Sequence, residues 1–100
     1  MEESIRSVLD AVIARARPQK VILFSRKNAP SGDVTSFKLC VILSKDAPDK
    51  AAVEREVYLR SDSDVPFDLL FYTADEWAQN MEQSESFAAN IARFGKVLYE

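Results

Sequence analysis

The sequence predicts one α/β domain of the α+β type, in which helices flank a mixed β-sheet of three to four strands. Two observations predict this class: short apolar runs of strand length alternate with longer segments of helical periodicity, and the 100 residues suit one domain. The predicted element order is α-β-β-α-β-α-α-β, with helices covering at least one face of the sheet. Residues 1–100 are expected to form this single domain.

The first two elements are a helix and a short buried strand. Apolar residues recur at helical spacing over residues 3–16, and Pro18 ends the predicted helix. Residues 21–24 form an apolar run, which predicts a buried strand. Residues 25–34 hold turn formers without periodicity, so we expect a loop there.

The second strand is predicted over residues 35–43, antiparallel to the first. Its two faces would carry Thr35, Phe37, Leu39, Val41 and Leu43 on one side and Ser36, Lys38, Cys40 and Ile42 on the other. The strand is polar at its start and apolar on both faces at its end. This pattern is typical of a strand that enters a covered sheet from a wet edge.

A highly charged helix and a third strand follow. Asp46 and Pro48 suit a helix start, and we expect a solvated helix over about residues 48–61. Residues 65–72 then predict the third strand. Because a helical crossover separates it from the second strand, the two should be parallel.

The last part of the chain predicts two short helices and a final strand. Thr73 and Glu76 form a capping-box pattern that opens the first of these helices. Ser84 is expected to cap the second, Gly95 to end it, and residues 96–99 to form the strand. The aromatic residues of these helices, at helical spacing, are expected to belong to the core: Trp77, Phe87 and Phe94.

Composition excludes several classes of function. The net charge of -3 provides no broad basic surface, so nucleic-acid binding is not expected. The absence of histidine excludes Ser-His and Cys-His catalysis and zinc sites that need imidazole. Only Asp and Glu could hold a metal, which favours magnesium-type chemistry if a metal binds at all.

The single cysteine and the hydropathy indicate the setting of the protein. Cys40 lies in an apolar run, cannot form an internal disulfide, and is interpreted as a buried structural thiol. No apolar run approaches the roughly 20 residues that span a bilayer. The acidic, amphipathic start does not suit a secretory signal, so a cytoplasmic location without membrane attachment is expected.

Two positions could carry chemistry. Asp68 is a lone acid in an apolar strand; it is either a strand-end acid that reaches water or a basic partner, or a metal ligand or general base. The expected loop after the first strand contains Ser25, Arg26, Lys27 and Gly32, whose backbone N–H groups and cations could hold phosphate. A plain surface loop is the alternative.

Four segments in order resemble the minimal nucleotidyltransferases, the small relatives of DNA polymerase beta. That family has a strand ending Leu-Phe-Gly-Ser-Arg, then Ser-Asp-x-Asp-Leu, a third strand with one acid, and often Gly-Lys-Val-Leu-Tyr at the end. The matching segments here are Leu23-Phe24-Ser25-Arg26, Thr35-Ser36-Phe37-Lys38-Leu39, Phe67-Asp68-Leu69-Leu70 and Gly95-Lys96-Val97-Leu98-Tyr99. The resemblance covers nearly the whole chain.

The departures from the family motifs fall at its catalytic positions. The family's phosphate-binding glycine is missing, so Ser25 stands alone. The two acids that open the second strand, which bind two magnesium ions together with the third-strand acid, are replaced by Ser36 and Lys38. Asp68 is the one acid that matches. We therefore expect no metal and no catalysis, and Ser36, Lys38 and Asp68 become a vestigial site.

The resemblance leads to one geometric prediction. Lys38 should form an ion pair with Asp68, with its ammonium at the place of the metal. The alternative is that Lys38 is an exposed edge residue without a partner. Asp33, just before the second strand, is a weaker candidate for a substitute acid.

Three functions are open from the sequence. The first is an inactive nucleotidyltransferase-fold protein that binds or regulates, implied by the resemblance to pair with a helical HEPN-type protein in a toxin–antitoxin-like unit, or to self-associate. The second is an active nucleotidyltransferase that moves a nucleotide from an NTP through a rearranged magnesium site. The third is a small α+β interaction module without a nucleotide ligand.

Overall fold

A computed structural model describes residues 1–47 and 49–100, and these form eight elements. The helices are α1 (Glu3–Ala16), α2 (Lys50–Arg60), α3 (Ala74–Met81) and α4 (Phe87–Phe94). The strands are β1 (Lys20–Asn28), β2 (Val34–Ile42), β3 (Phe67–Tyr72) and β4 (Lys96–Tyr99). The predicted α+β class and element order are confirmed. Within the described ranges, no helix is long and apolar enough to cross a membrane.

The strands of the described residues form one mixed sheet in the order β3-β2-β1-β4. β1 pairs antiparallel with both β2 and β4, whereas β2 and β3 are parallel. Both predictions about strand direction are confirmed, because a hairpin joins β1 to β2 and the α2 crossover joins β2 to β3. β3 and β4 are therefore the edge strands.

Helices pack on both faces of the sheet. The larger core cluster joins α1 and α2 to one face, with Ile5, Val8, Val12, Val53, Val57, Phe37, Leu39 and Val41 among its buried residues. The smaller cluster, on the opposite face, joins Ile91 of α4 and half-buried Trp77 of α3 to Ile22, Cys40 and Ile42. The predicted alternation along β2 is thus confirmed.

The loop predicted over residues 25–34 is wrong for most of its length. β1 continues to Asn28 and β2 begins at Val34, so only residues 29–33 turn. Gly32 occupies the turn with φ of 95°, a conformation that glycine adopts without steric cost. The polar run extends as a strand because ladder pairing uses backbone N–H and C=O groups, which need no apolar side chains when the hairpin projects into water.

The start of α2 lies slightly later than predicted. Asp49 is the N-cap, and its carboxylate accepts a hydrogen bond from the Ala52 N–H at 3.4 Å. Asp46 therefore does not cap the helix, and Pro48 lies outside the described residues. The stripe that packs on the sheet is narrow, as predicted, with Val53 and Val57 buried.

The cap predicted for the last helix is also wrong by two residues. Ser86, rather than Ser84, caps α4, since its hydroxyl accepts from the Ala89 N–H at 3.0 Å. The same hydroxyl donates to the carbonyl of Asn80 at 2.7 Å. Ser86 therefore joins α3 to α4, a tertiary contact that local patterns do not reveal.

Two of the aromatic residues assigned to the core are exposed instead. Phe87 is 59% exposed and Phe94 is 78% exposed. The side of α4 that packs on the sheet consists of Ala88, Ala89 and Ile91. Small alanines allow the helix axis to approach the sheet closely, which turns the phenylalanines outward.

The predicted capping box opens α3 and adds a contact to α2. The Thr73 hydroxyl accepts from the Glu76 N–H at 3.0 Å, and the Glu76 carboxylate accepts from the Thr73 N–H at 2.8 Å. Lys50 Nζ donates to the same carboxylate at 3.0 Å. The backbone hydrogen bond and then the lysine lower the pKa of Glu76 below its usual value of 4.5.

We expect Glu76→Gln to reduce the loss of stability in acid. A lowered folded-state pKa stabilises the fold above the unfolded-state pKa, and that contribution is lost as the pH falls through the folded-state pKa. Urea unfolding between about pH 3 and 7 measures this, with an effect below about 1 kcal/mol because the pair is half-exposed. Glu82→Gln, at an exposed glutamate, is the matched control. Identical pH profiles for wild type and Glu76→Gln would contradict the prediction.

Candidate functional site

Three of the predicted site residues lie side by side in the sheet. Ser25 of β1 pairs with Lys38 of β2, and Lys38 pairs with Asp68 of β3. Residues directly opposite each other project to the same face of a sheet. Ser36, two residues before Lys38, projects to that face as well. The structure thus brings together Ser25 and the three residues that the resemblance predicts to be a vestigial site.

A β-bulge is what brings Ser25 into this row. Leu23 pairs with Leu39, and the next pair is Ser25 with Lys38, so two residues of β1 oppose one residue of β2. In an unbroken strand, Ser25 would project to the same face as Leu23. The register shift at Phe24 moves it to the opposite face, beside Lys38.

The site lies on the part of the sheet that α3 and α4 leave uncovered. The second half of β2 is buried on this face at Cys40 and Ile42, whereas Lys38 and Asp68 are exposed and Ser36 is half-buried. Residues at this end line a depression of about 240 Å³: Lys27, Ser36, Phe37, Lys38, Pro66, Phe67 and Asp68. The site is therefore open to water.

The predicted ion pair between Lys38 and Asp68 is not formed. Within the described ranges, side-chain ion pairs closer than 4.0 Å join Lys20 to Glu100, Lys50 to Glu76 and Arg60 to Glu56. Both Lys38 and Asp68 are exposed, so water solvates each charge and little is gained by fixing two flexible side chains together. Lys38 is exposed, as the alternative predicts, but it is not an edge residue, because β2 lies between β3 and β1.

Lys27 is a further cation of the site. It pairs with Ser36 across the β1–β2 ladder and therefore shares the face of Lys38. The sequence predicts Lys27 as a cation of a loop that could hold phosphate, and in a loop the direction of its side chain is undefined. The signal that could have located it is its two-residue spacing from Ser25, which has meaning only once the segment is known to be a strand.

The structure does not bring Arg26 and Gly32 to the site. Arg26 pairs with Phe37 and so projects to the face that α1 and α2 cover. Its Nε donates to Asn28 Oδ1 at 3.0 Å. Gly32 lies in the hairpin turn, where its N–H donates to the Ala29 carbonyl at 2.8 Å. Of the four residues that could hold phosphate in the predicted loop, Ser25 lies beside Lys38 and Lys27 shares its face, whereas Arg26 and Gly32 do not.

The acids near the site are separated from one another. Asp33 lies in the hairpin turn, where its carboxylate accepts from the Ser31 hydroxyl at 3.1 Å. Asp68 is the one acid that lines the depression. Across the described residues, no three Asp, Glu or Cys side chains come together in a way that could hold a metal ion.

Cys40 lies beneath this face and is chemically inert. Its side chain is fully buried, and this burial raises the pKa of the thiol to about 12. The thiol therefore stays protonated at neutral pH. The prediction of a buried structural cysteine is confirmed.

An aromatic stack borders the site along the β3 edge. The Tyr58 ring stacks on Phe67 with centroids 4.9 Å apart, and Phe67 stacks on Phe37 at 5.6 Å. Burial raises the pKa of Tyr58, and the negative charge of Asp68 raises it further, although a backbone hydrogen bond at Leu69 acts in the opposite direction. This stack was not predicted, because Tyr58 belongs to a highly charged segment whose sequence predicts a solvated helix.

Comparison with known proteins finds no matching family model, no matching curated protein and no matching solved structure.

Proposed function

We propose that this chain is a noncatalytic, cytoplasmic relative of the minimal nucleotidyltransferases that acts by binding. The observation that carries the proposal is the row of Ser25, Lys38 and Asp68 across three strands. When the family's motifs are aligned with this sequence, the three catalytic acids of the family fall at Ser36, Lys38 and Asp68. The strand register supports this alignment, since it places all three residues on one face.

Charge is the reason for proposing loss of the reaction. Three carboxylates can offset the charge of two magnesium ions, but Ser36, Lys38 and Asp68 together are formally neutral. Lys27 adds a second ammonium to the same depression. A cation entering the site would therefore meet two ammonium groups and one carboxylate. Such a surface is better suited to an acidic group of a partner than to a metal ion.

The partner class comes from the resemblance alone. A helical HEPN-type protein is the proposed partner, in a toxin–antitoxin-like unit in which this chain is the regulatory member. An NTP could occupy the site without being turned over. The plain interaction module is the second candidate, and the exposure of Phe87 and Phe94 favours it because large exposed apolar side chains often mark interfaces.

We expect that restoring two acids will create a metal site. The double variant Ser36→Asp/Lys38→Asp would place three carboxylates on one face, and it should bind Mn²⁺ roughly tenfold or more tightly than wild type. Titration followed by electron paramagnetic resonance measures bound Mn²⁺. Thr35→Asp/Lys38→Asp is the matched control, because it has the same net charge but directs one carboxylate to the opposite face.

Two outcomes of this experiment would contradict the proposal. Equal Mn²⁺ affinity in the double variant and its control would mean that positions 36, 38 and 68 do not converge as a vestigial metal site. Magnesium-dependent transfer of label from ATP by the wild-type protein, lost on Asp68→Ala, would establish the active nucleotidyltransferase instead.

A further inference from the structure

The two edges of the sheet differ in how they resist pairing with another strand. Within residues 1–47 and 49–100, β3 and β4 each have a strand on one side only. β4 is four residues long, begins with Lys96 and is bulged where it pairs with β1. Short length, a lysine and a bulge each discourage an added strand. β3 is six residues long, pairs with β2 in an unbroken register and carries one charge, at Asp68. A regular apolar edge of this kind needs another form of protection.

The pairing of β3 with β2 shows which backbone groups of β3 point to the free edge. The carbonyls of Pro66 and Tyr72 accept hydrogen bonds from backbone N–H groups of β2 and of the residue that follows it. In a parallel ladder, successive residues of a strand alternate between bonding to the neighbour and pointing away from it. The backbone groups that point away from β2 are therefore those of Phe67, Leu69 and Phe71.

Tyr58 of α2 reaches this free edge. Its hydroxyl donates to the Phe67 carbonyl at 3.5 Å. The Leu69 N–H acts on the same hydroxyl, because it opposes the rise in the pKa of Tyr58 that burial causes. A tyrosine hydroxyl can donate and accept, and one residue of an added parallel strand would offer its N–H and C=O to these same two groups. The hydroxyl therefore occupies the place of that residue, and the stack of the Tyr58 ring on Phe67, at 4.9 Å, holds it there.

We propose that Tyr58 closes the free edge of β3 and so prevents β3 from pairing with β3 of a second copy of this chain. Natural edge strands that lack lysine, proline and bulges are covered by another part of the chain, since unpaired N–H and C=O groups are a template for pairing. Here the cover is one side chain from α2. An identical strand is present at the protein's own concentration whenever that side chain moves away.

The sequence of β3 suits pairing with its own copy. Because its register with β2 is unbroken, positions 67, 69 and 71 share one face and positions 68 and 70 share the other. Antiparallel pairing about Leu69 would set Phe67 opposite Phe71 of the partner subunit, an aromatic pair that stabilises a sheet. Asp68 would lie opposite Leu70 of the partner subunit, so no two carboxylates would face each other. Each pair would occur twice about the two-fold axis.

The first test is the oligomeric state of Tyr58 variants, measured by sedimentation. Wild type should be a monomer. Tyr58→Ala removes the ring and the hydroxyl, and it should raise the association constant by roughly tenfold or more. Tyr58→Phe keeps the ring but frees the edge groups, so it should associate more than wild type and less than Tyr58→Ala. Tyr99→Ala is the matched control and should change nothing, because it removes a tyrosine of similar exposure, 37% against 42%, from the other edge.

The second test locates the contact by amide hydrogen exchange of the associated variant. The amides of Leu69 and Phe71 should exchange more slowly than in wild type, because they would bond to the partner strand. The amides of Asp68 and Leu70 should change little, since they already bond to β2. Association without slower exchange at Leu69 and Phe71 would overturn the inference, because apolar surface rather than strand pairing would then join the copies. Monomeric Tyr58→Ala and Tyr58→Phe, or a wild type that associates as strongly as Tyr58→Ala, would overturn it as well.

Discussion

Replacing Gly95 with alanine is expected to destabilise the protein by about 3 kcal/mol, near the upper end of the range for overpacking a core. An added Cβ would collide with Cγ2 of Ile22 and would lie 2.6 Å from the Ile91 carbonyl oxygen and 3.2 Å from the Leu23 carbonyl oxygen. Two of these atoms belong to the backbone, and Ile22 is fully buried. None can move aside without shifting β1 or α4.

Thermal and urea unfolding measure this effect. A loss of about 3 kcal/mol corresponds to a decrease of roughly 12 °C or more in Tm for a domain of this size. Gly32→Ala is the matched control, because a Cβ there meets no atom within 4 Å and its cost comes only from the positive φ of 95°. That cost should be about 1 kcal/mol. If Gly95→Ala is no more damaging than Gly32→Ala, the close contact between α4 and β1 is not as described.

Replacing Phe37 with alanine should cost about 3–5 kcal/mol. The ring is 1% exposed and lies in the larger core cluster, stacked on Phe67 with centroids 5.6 Å apart. Its removal would leave a cavity bounded by strands and helices that cannot close around it. Urea unfolding with an unchanged slope against denaturant would report this loss as a change in the free energy of unfolding.

Lys38→Ala is the control at the neighbouring position. Lys38 lies on the other face of β2, is exposed, and makes no ion pair with Asp68, so its truncation should change stability by less than about 0.5 kcal/mol. A large cost for Lys38→Ala would indicate that the lysine is paired in the folded state. If Phe37→Ala lowers the free energy of unfolding only slightly, Phe37 does not lie on the face of β2 that α1 and α2 cover.

Much of the fold was predictable because the relevant signals are local. The helical period of residues 3–16, the alternation along β2 and the Thr73–Glu76 capping box each depend on residues close in sequence. Chain direction followed from the type of connection, since a hairpin and a helical crossover impose opposite strand directions. These predictions did not require knowledge of which strands are neighbours.

The sequence was sufficient to predict which residues form the candidate site, but not the contacts and directions of their side chains. The motif comparison identified Ser36, Lys38 and Asp68, and the strand register places them together. Lys38 and Asp68 are both exposed, and water solvates each charge, so the predicted ion pair between them does not form. The directions of Ser25 and Arg26 depend on the bulge at Phe24, which is a feature of pairing rather than of the strand sequence.

The amino-acid pattern was sufficient to predict the fold class, the order of the elements and the polar start of β2. These features depend on periodicity and turn residues, which act over a few positions. Tertiary packing was required for the rest. The alanine face of α4 allows a close approach to β1. Phe87 and Phe94 are therefore exposed to solvent, although their helical spacing predicts positions in the core. Pairing of β1 with β2 extends the polar segment after Phe24 as a strand, because the partner strand satisfies its backbone groups.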